Sequence, residues 1–218
     1  MRSRMITATF SVLSLVAATS ASPAVAAERR IDATGFTAVS MQGGMNVVIE
    51  QGEKIEAIAR GSQAALADLD PVVEKGVLRL KEKKGIVRER LSSSEDVATV
   101  YIRMPILTSF ALAGAGDVIL KDVKANDLEV KIAGSGDIDA SGSCKALTLR
   151  LAGSGDINAK DLKCQSVDVK IAGSGDVSTY AAQDFNATIM GAGDINVYGN
   201  PKNRNRKIFG AGDITYHK

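Results

Sequence analysis

At 218 residues with 45% apolar side chains the chain can bury a core, yet aromatics make up only 4%, Trp is absent and glycine occurs 21 times, which suits thin stacked layers better than a core of large rings. Lys and Arg total 27 against 25 Asp and Glu; Arg2 and Arg4 fall in an N-terminal leader, so the balanced remainder offers no electrostatic footprint for nucleic acid. A single histidine, His217, penultimate and expected to fray, leaves little for acid–base catalysis.

Residues 1–27 read as a secretory signal peptide. Arg2 and Arg4 form its positive end, residues 6–18 its apolar run, and Ala24-Val25-Ala26 or Val25-Ala26-Ala27 a small-residue cleavage site. About 13 apolar residues are too few to span a bilayer. No cysteine near the cleavage point could carry a lipid, and no later segment is apolar enough to cross a membrane. The expectation is an exported, soluble mature protein.

Residues 28–105 make an irregular β part. Phe36-Thr37-Ala38-Val39-Ser40-Met41 alternates, Gly43-Gly44-Met45-Asn46 looks like a degenerate corner, and Val47-Val48-Ile49 resumes a strand before a turn at Gln51-Gly52. Residues 55–59 alternate again, and residues 62–69, with Ser62 as cap, fit one short helix. Val77-Leu78-Arg79-Leu80 and Val100-Tyr101-Ile102-Arg103-Met104 add strands. This part is expected to begin the coil described next, with larger excursions; a separate small sandwich is the alternative. The mixed charges of residues 81–96 fit a solvated hairpin tip or loop rather than a patch for an anionic ligand.

Residues 106–218 repeat one sentence six times: Ala113-Gly114-Ala115-Gly116-Asp117, Ala133-Gly134-Ser135-Gly136-Asp137, Ala152-Gly153-Ser154-Gly155-Asp156, Ala172-Gly173-Ser174-Gly175-Asp176, Met190-Gly191-Ala192-Gly193-Asp194 and Phe209-Gly210-Ala211-Gly212-Asp213. The aspartates are 20, 19, 20, 18 and 19 residues apart. Before each corner an apolar residue alternates with a polar one, as in Leu147-Thr148-Leu149-Arg150-Leu151, and after it comes a shorter pair such as Ile157 and Ala159. Each repeat is therefore a strand, a glycine corner, a short strand and a looser return. So short a period leaves no room for a crossover helix. The chain is expected to be all-β, a parallel β-helix (β-solenoid) of about 19-residue repeats, each turn pairing with the next about 4.8 Å away. The basic run at residues 202–207 is expected to be an exposed loop.

Cys144 and Cys164 occupy nearly the same place in adjacent turns, so their Cα atoms can lie about 5 Å apart, within disulfide range. A disulfide in an oxidising compartment is one reading and two free stacked thiols the other. Two sulfurs without further Cys or His partners do not make a zinc site.

Six aspartates at one corner would form a column of like charges, repelling by about 1 kcal/mol per neighbouring pair in water. The structural answer is a corner in which each carboxylate accepts N–H groups of its own glycine turn, helped by Lys131, Arg150, Lys170 and Lys207 six positions earlier. The alternative is calcium at Asp137, Asp156 and Asp176, after the manner of β-roll nonapeptides, although here Asp follows the second Gly directly and the period is about 19.

The segments Val47-Val48-Ile49-Glu50-Gln51-Gly52 and Val100-Tyr101-Ile102-Arg103-Met104-Pro105, with the Gly-Ser-Gly-Asp-Ile-Asn pattern ending at Asn158, make the chain resemble a bacterial family. That family is the putative auto-transporter adhesin, head GIN domain, and the resemblance runs over about residues 36–216. It implies a right-handed single-stranded β-helix and a non-enzymatic, adhesin-like binding or structural role in the periplasm or at the cell surface. It implies no catalytic residue and no cofactor. No barrel-forming region is expected, since the chain stops at His217-Lys218 after its last turn. The partner would be an envelope protein or a glycan. A last turn without an evident cap leaves end-to-end homo-oligomers open. Two other functions remain: calcium-dependent assembly, and a polysaccharide-processing enzyme with Asp156 in a carboxylate pair.

Overall fold

The computed structural model describes residues 27–83 and 97–217. Residues 1–26 of the expected signal peptide (1–27) and most of the charged run at 81–96 lie outside the described residues.

The chain forms a parallel β-solenoid. Its regular part contains β8 (Ser109–Gly114), β9 (Val118–Gly134), β10 (Ile138–Gly153), β11 (Ile157–Gly173) and β12 (Val177–Gly191), closed by β13 (Ile195–Tyr198), β14 (Asn203–Gly210) and β15 (Ile214–Tyr216). Registry between coils places like over like: Leu128, Leu147 and Val167 stack, as do Val130, Leu149 and Val169, and Ile132, Leu151 and Ile171. All nine are buried. Each apolar side chain thus covers its counterpart's, and burial of this kind is worth about 1.5–3 kcal/mol per large aliphatic residue.

The return between corners is tighter than the looser segment expected from sequence. β9 to β12 each run unbroken from the residue after one aspartate to the first glycine of the next corner, 15 to 17 residues apiece. They bend in the middle, at Asp122 (φ 53°) in β9 and Gly142 (φ 127°) in β10. Pairing continues around the bend with a register shift, so the main chain keeps its hydrogen bonds there. β14 also departs from expectation: the basic stretch expected as a loop is a strand paired in parallel with β12 from Asn203 to Gly210. The free edge of β12 templates it, and every one of its residues stays exposed.

Toward the other end lie β1 (Ala27–Arg30), β2 (Ala38–Gly43), β3 (Asn46–Gln51), β4 (Glu56–Gly61), helix α1 (Gln63–Asp68), β5 (Leu69–Glu74), β6 (Val77–Glu82) and β7 (Thr99–Met104). β2 pairs in parallel with β8, and β3 with β9, so the Gly43-to-Asn46 corner stacks directly on the first regular one. β6 and β7 add one parallel layer outside β2 and β3. Beyond them the direction reverses: β4 runs antiparallel to β7, β5 to β6 and β1 to β4. These strands belong to the same 15-stranded sheet as the repeats. Ser62 caps α1, its hydroxyl accepting the Ala65 N–H at 3.1 Å. Short edge strands and antiparallel cover blunt that end against further parallel pairing.

Candidate functional site

The glycine corners are where each coil turns from one face of the solenoid to the next. Gly153 has φ 136°, a conformation that a residue with a Cβ rarely adopts. Gly155 is constrained differently: a Cβ there would overlap the carbonyl oxygen of Gly136 in the preceding coil. Gly153 lies just as close, against the Gly134 carbonyl, so it both turns the chain and lets the coils approach, whereas Gly155 does only the second.

The aspartates complete the corner's hydrogen bonding. Ser154 N donates to Gly134 O at 3.0 Å, and Ile157 N to Asp176 O at 2.9 Å, so the ladder runs through the corner in both directions. The N–H of the aspartate finds its acceptor on a side chain. Asp156 N donates to Oδ1 of Asp137 (2.8 Å), Asp176 N to Asp156 (2.8 Å), Asp194 N to Asp176 (2.7 Å) and Asp213 N to Asp194 (2.7 Å). This corrects the expectation that each carboxylate serves its own turn, which holds only for Asp213, where Ile214 N donates to Oδ1 at 2.8 Å. The physical reason is the coil spacing, which brings the next coil's N–H within reach of a short carboxylate. At the start of the column Asn46 accepts from Asp117 N at 3.0 Å with a neutral amide.

The bases six positions before the aspartates do not act as expected either. Lys131 Nζ pairs with Glu129 at 2.8 Å and Arg150 Nε with the same carboxylate at 3.4 Å. Their hydrogen bonds and charge, Lys131's first, hold the Glu129 carboxyl below its ordinary range against a smaller opposing effect of burial. Asp184 is likewise lowered, chiefly by the Asn203 amide at 2.6 Å and then the Ser166 hydroxyl at 2.9 Å.

Cys144 and Cys164 stand opposite each other in the β10–β11 register and form a disulfide, with Cα atoms 4.5 Å apart. Among the described residues, no group of three or more His, Cys, Asp or Glu side chains could hold a metal ion. Asp137, Asp156 and Asp176 each commit one oxygen to the next coil. His217 is held rather than frayed: its N–H reaches Val197 O at 2.8 Å, its Nε2 lies 2.8 Å from Asn196 Oδ1, and its ring stacks on Tyr198.

Outward side chains also align. Asp139, Asn158, Ser178, Asn196 and Thr215 form one polar row along β10, β11, β12, β13 and β15. Asn158 Nδ2 donates to Asp139 Oδ1 at 2.8 Å, which fixes both groups. On the face that precedes each corner Lys131, Arg150, Lys170, Thr188 and Lys207 form a mostly basic row. The basic row is the set of bases six positions before the aspartates that the sequence already showed, whereas the row from Asp139 to Thr215 was not legible there, because its residue type changes from coil to coil.

A solenoid with an apolar interior, a hydrogen-bonded corner column and ordered polar rows outside defines an exported-type binding or structural module whose repeating side faces are its accessible surface. A family model described as "Putative auto-transporter adhesin, head GIN domain" matches residues 35–201, and the chain belongs to that family. It is accordingly an exported protein of the bacterial periplasm or cell surface. Among solved structures it is similar to a "putative adhesin" from Bacteroides fragilis, with TM-score 0.72 and 21% identity over 89% of this chain and 98% of that one. It is also similar to a "putative lipid binding protein" from Parabacteroides distasonis, with TM-score 0.58 and 23% identity over 88% of this chain and 97% of the other. These likenesses concern the fold. No curated protein matches the chain.

Proposed function

We propose that the protein acts as an adhesin-like envelope module that holds a glycan chain along its side sheets. The observation that carries this reading is the row Asp139, Asn158, Ser178, Asn196 and Thr215, which offers a hydrogen-bonding group on each successive coil. A polymer that repeats along its length meets an equivalent group at every coil, and many weak contacts then add through effective concentration. The corner glycines and aspartates, Gly114, Asp117, Gly134, Asp137, Gly153, Asp156, Gly173, Asp176, Gly191, Asp194, Gly210 and Asp213, serve in this reading as scaffold. End-to-end association would bring a second copy onto β14, where Arg204 and Arg206 hold the positions that Phe185 and Ala187 hold one coil earlier. Enclosing two guanidinium groups between apolar layers is costly, which favours partner contact on the sides.

The test is co-sedimentation with bacterial envelope polysaccharides together with a glycan array, comparing the wild type with an Asn158→Ala, Ser178→Ala double variant. Retention of a glycan by the wild type that falls in the variant supports the reading. If no glycan is retained while crosslinking in intact envelopes captures only a protein, the reading fails in favour of a protein partner.

A further inference from the structure

One side sheet carries, toward its β1 end, a patch whose charges reverse sign from one edge to the other. The strands lie in the order β1, β4, β7, β3, β9, β10. Their registers align a central row of Arg30, Ile58, Tyr101, Val48, Ile119 and Asp139. Tyr101 and Ile119 are 41% and 37% exposed. Beside it Glu56, Arg103, Glu50 and Lys121 form a second row on β4, β7, β3 and β9. On the other flank Arg60 stands on β4, across Thr99 and Asn46 from Asp117, whose N–H the Asn46 side chain accepts.

We infer that this patch is a self-complementary surface whose partner is a second copy of the chain, face to face about a two-fold axis. An axis lying in the contact plane between β7 and β3 turns each row end for end. Glu56 then faces Lys121 of the second copy, Arg30 faces Asp139 and Arg60 faces Asp117, while Arg103, which pairs with Glu50 of its own copy at 3.3 Å, is brought to Glu50 of the other as well. In the central row Ile58 faces Ile119 and Tyr101 faces Val48, so an apolar strip closes between two charged ones. A two-fold contact requires this antisymmetry, because each residue i that meets j is matched by j meeting i. A ligand of uniform charge would find the alternating signs cancelling, and a purely apolar partner would strand the charges out of water. At the rim the same axis brings Glu28 toward Asp137; Glu28 is already paired with Arg60 at 3.1 Å and Asp137 accepts the Asp156 N–H.

Six strands at about 4.8 Å span roughly 24 Å, and three rows cover roughly 13 Å along the strands. That area falls short of the roughly 800 Å² per partner of a stable complex. The dimer is therefore weak, concentration-dependent and sensitive to salt.

Sedimentation velocity over a concentration series reaching the millimolar range tests this on the mature chain. The wild type shifts toward dimer as concentration rises and back as salt rises. Glu56→Lys and Lys121→Glu, both exposed substitutions, each weaken association about tenfold or more, since each places like charges opposite at two symmetric contacts. An equimolar mixture of the two single variants associates where neither does alone, and the Glu56→Lys, Lys121→Glu double variant regains wild-type behaviour. Within one copy the two positions are three strands apart, so screening leaves little direct coupling. Unchanged melting curves certify the variants' fold. A wild type that stays monomeric throughout, variants that dimerise like the wild type, or a mixture that stays monomeric would each overturn the inference. So would a glycan or other protein seated on this face of a monomer.

Discussion

The aspartate column can be tested by asking what the charge at Asp156 contributes beyond its hydrogen bond. Asp156 Oδ1 accepts the Asp176 N–H at 2.8 Å, and its carboxylate sits one coil from those of Asp137 and Asp176. At the coil spacing of about 4.8 Å each neighbour repels it by about 0.9 kcal/mol in water, so the two together cost about 1.7 kcal/mol. A hydrogen bond to a charged acceptor is worth about 1 kcal/mol more than one to a neutral acceptor. Asp156→Asn keeps the bond, as Asn46 does natively for Asp117, and removes the repulsion. At low ionic strength it should therefore stabilise the fold by about 0.7 kcal/mol, the difference of those two contributions. In 1 M salt the screening length falls to about 3 Å, the repulsion disappears, and the same substitution should cost about 1 kcal/mol.

Asp156→Ala supplies the control. It removes the same charge, so its stability should follow the same salt trend, displaced downward by about 1 kcal/mol for the lost neutral bond. Reversible urea unfolding of wild type and both variants at low salt and at 1 M salt measures all the differences. If Asn and Ala variants are equally stable, the side chain is not an acceptor that matters. If the difference between wild type and Asn keeps one sign at both salts, the column is not governed by the repulsion computed for it.

Four further outcomes follow from single observations. Gly155→Ala should destabilise by about 3 kcal/mol in urea unfolding, because its Cβ meets the Gly136 carbonyl, backbone that cannot rotate away. Thr179→Val should raise stability by about 1–2 kcal/mol, readable as a higher Tm, since the Thr179 side chain is fully buried with its hydroxyl unpaired between Ala159 and Val197. Replacing Cys144 and Cys164 by alanine should cost about 3 kcal/mol on the chain-entropy account, given their separation of 20 residues; a calorimetric comparison with reduced wild type checks it. Glu129→Gln should lower Tm by an amount equivalent to about 0.5 kcal/mol at neutral pH, as for an exposed ion pair. The folded Glu129 carboxyl titrates below its ordinary 4.5, so the advantage is complete above that value and vanishes as pH falls through the lower, folded value.

Much of this fold was legible because the coil repeats both its core and its corner. Leu147, Leu149 and Leu151 announce a strand, and the glycine pair with its aspartate announces where it turns. Met45, in place of a second glycine, disguised the first corner, yet Gly43 and Asn46 still marked it. What stayed hidden has definite causes. β5 contains Pro71, which suits only an edge, and β1 is Ala-Glu-Arg-Arg, with no apolar alternation to show it. β14 places Arg204 and Arg206 where the pattern calls for apolar residues, so its sequence reads as a loop and only the edge of β12 makes it a strand. The direction of the aspartate bonds, from one coil to the next, depends on a spacing in space that the sequence states only as a period.

The two Arg residues of β14 also explain how a structure made of identical layers can have an end. Any coil that reproduced Phe185, Ala187 and Ile189 would expose a fresh apolar layer and invite another. At the last layer Arg204 instead lays its guanidinium 4.3 Å over the ring of Tyr216, which meets Phe185 edge-on at 6.0 Å. Its Nε and Nη2 donate to Pro201 O and Asn200 Oδ1, both at 2.9 Å, so the side chain is held across the stack. An aromatic ring covers the last core residue and a hydrated cation covers the ring, which grades the environment from apolar to aqueous within one layer. At the opposite end the grading is done by reversal of strand direction in β4 and β5. With both ends blunted by these different means, the long side sheets are what the molecule presents to partners, and their rows, fixed by coil registry, decide which partners those can be.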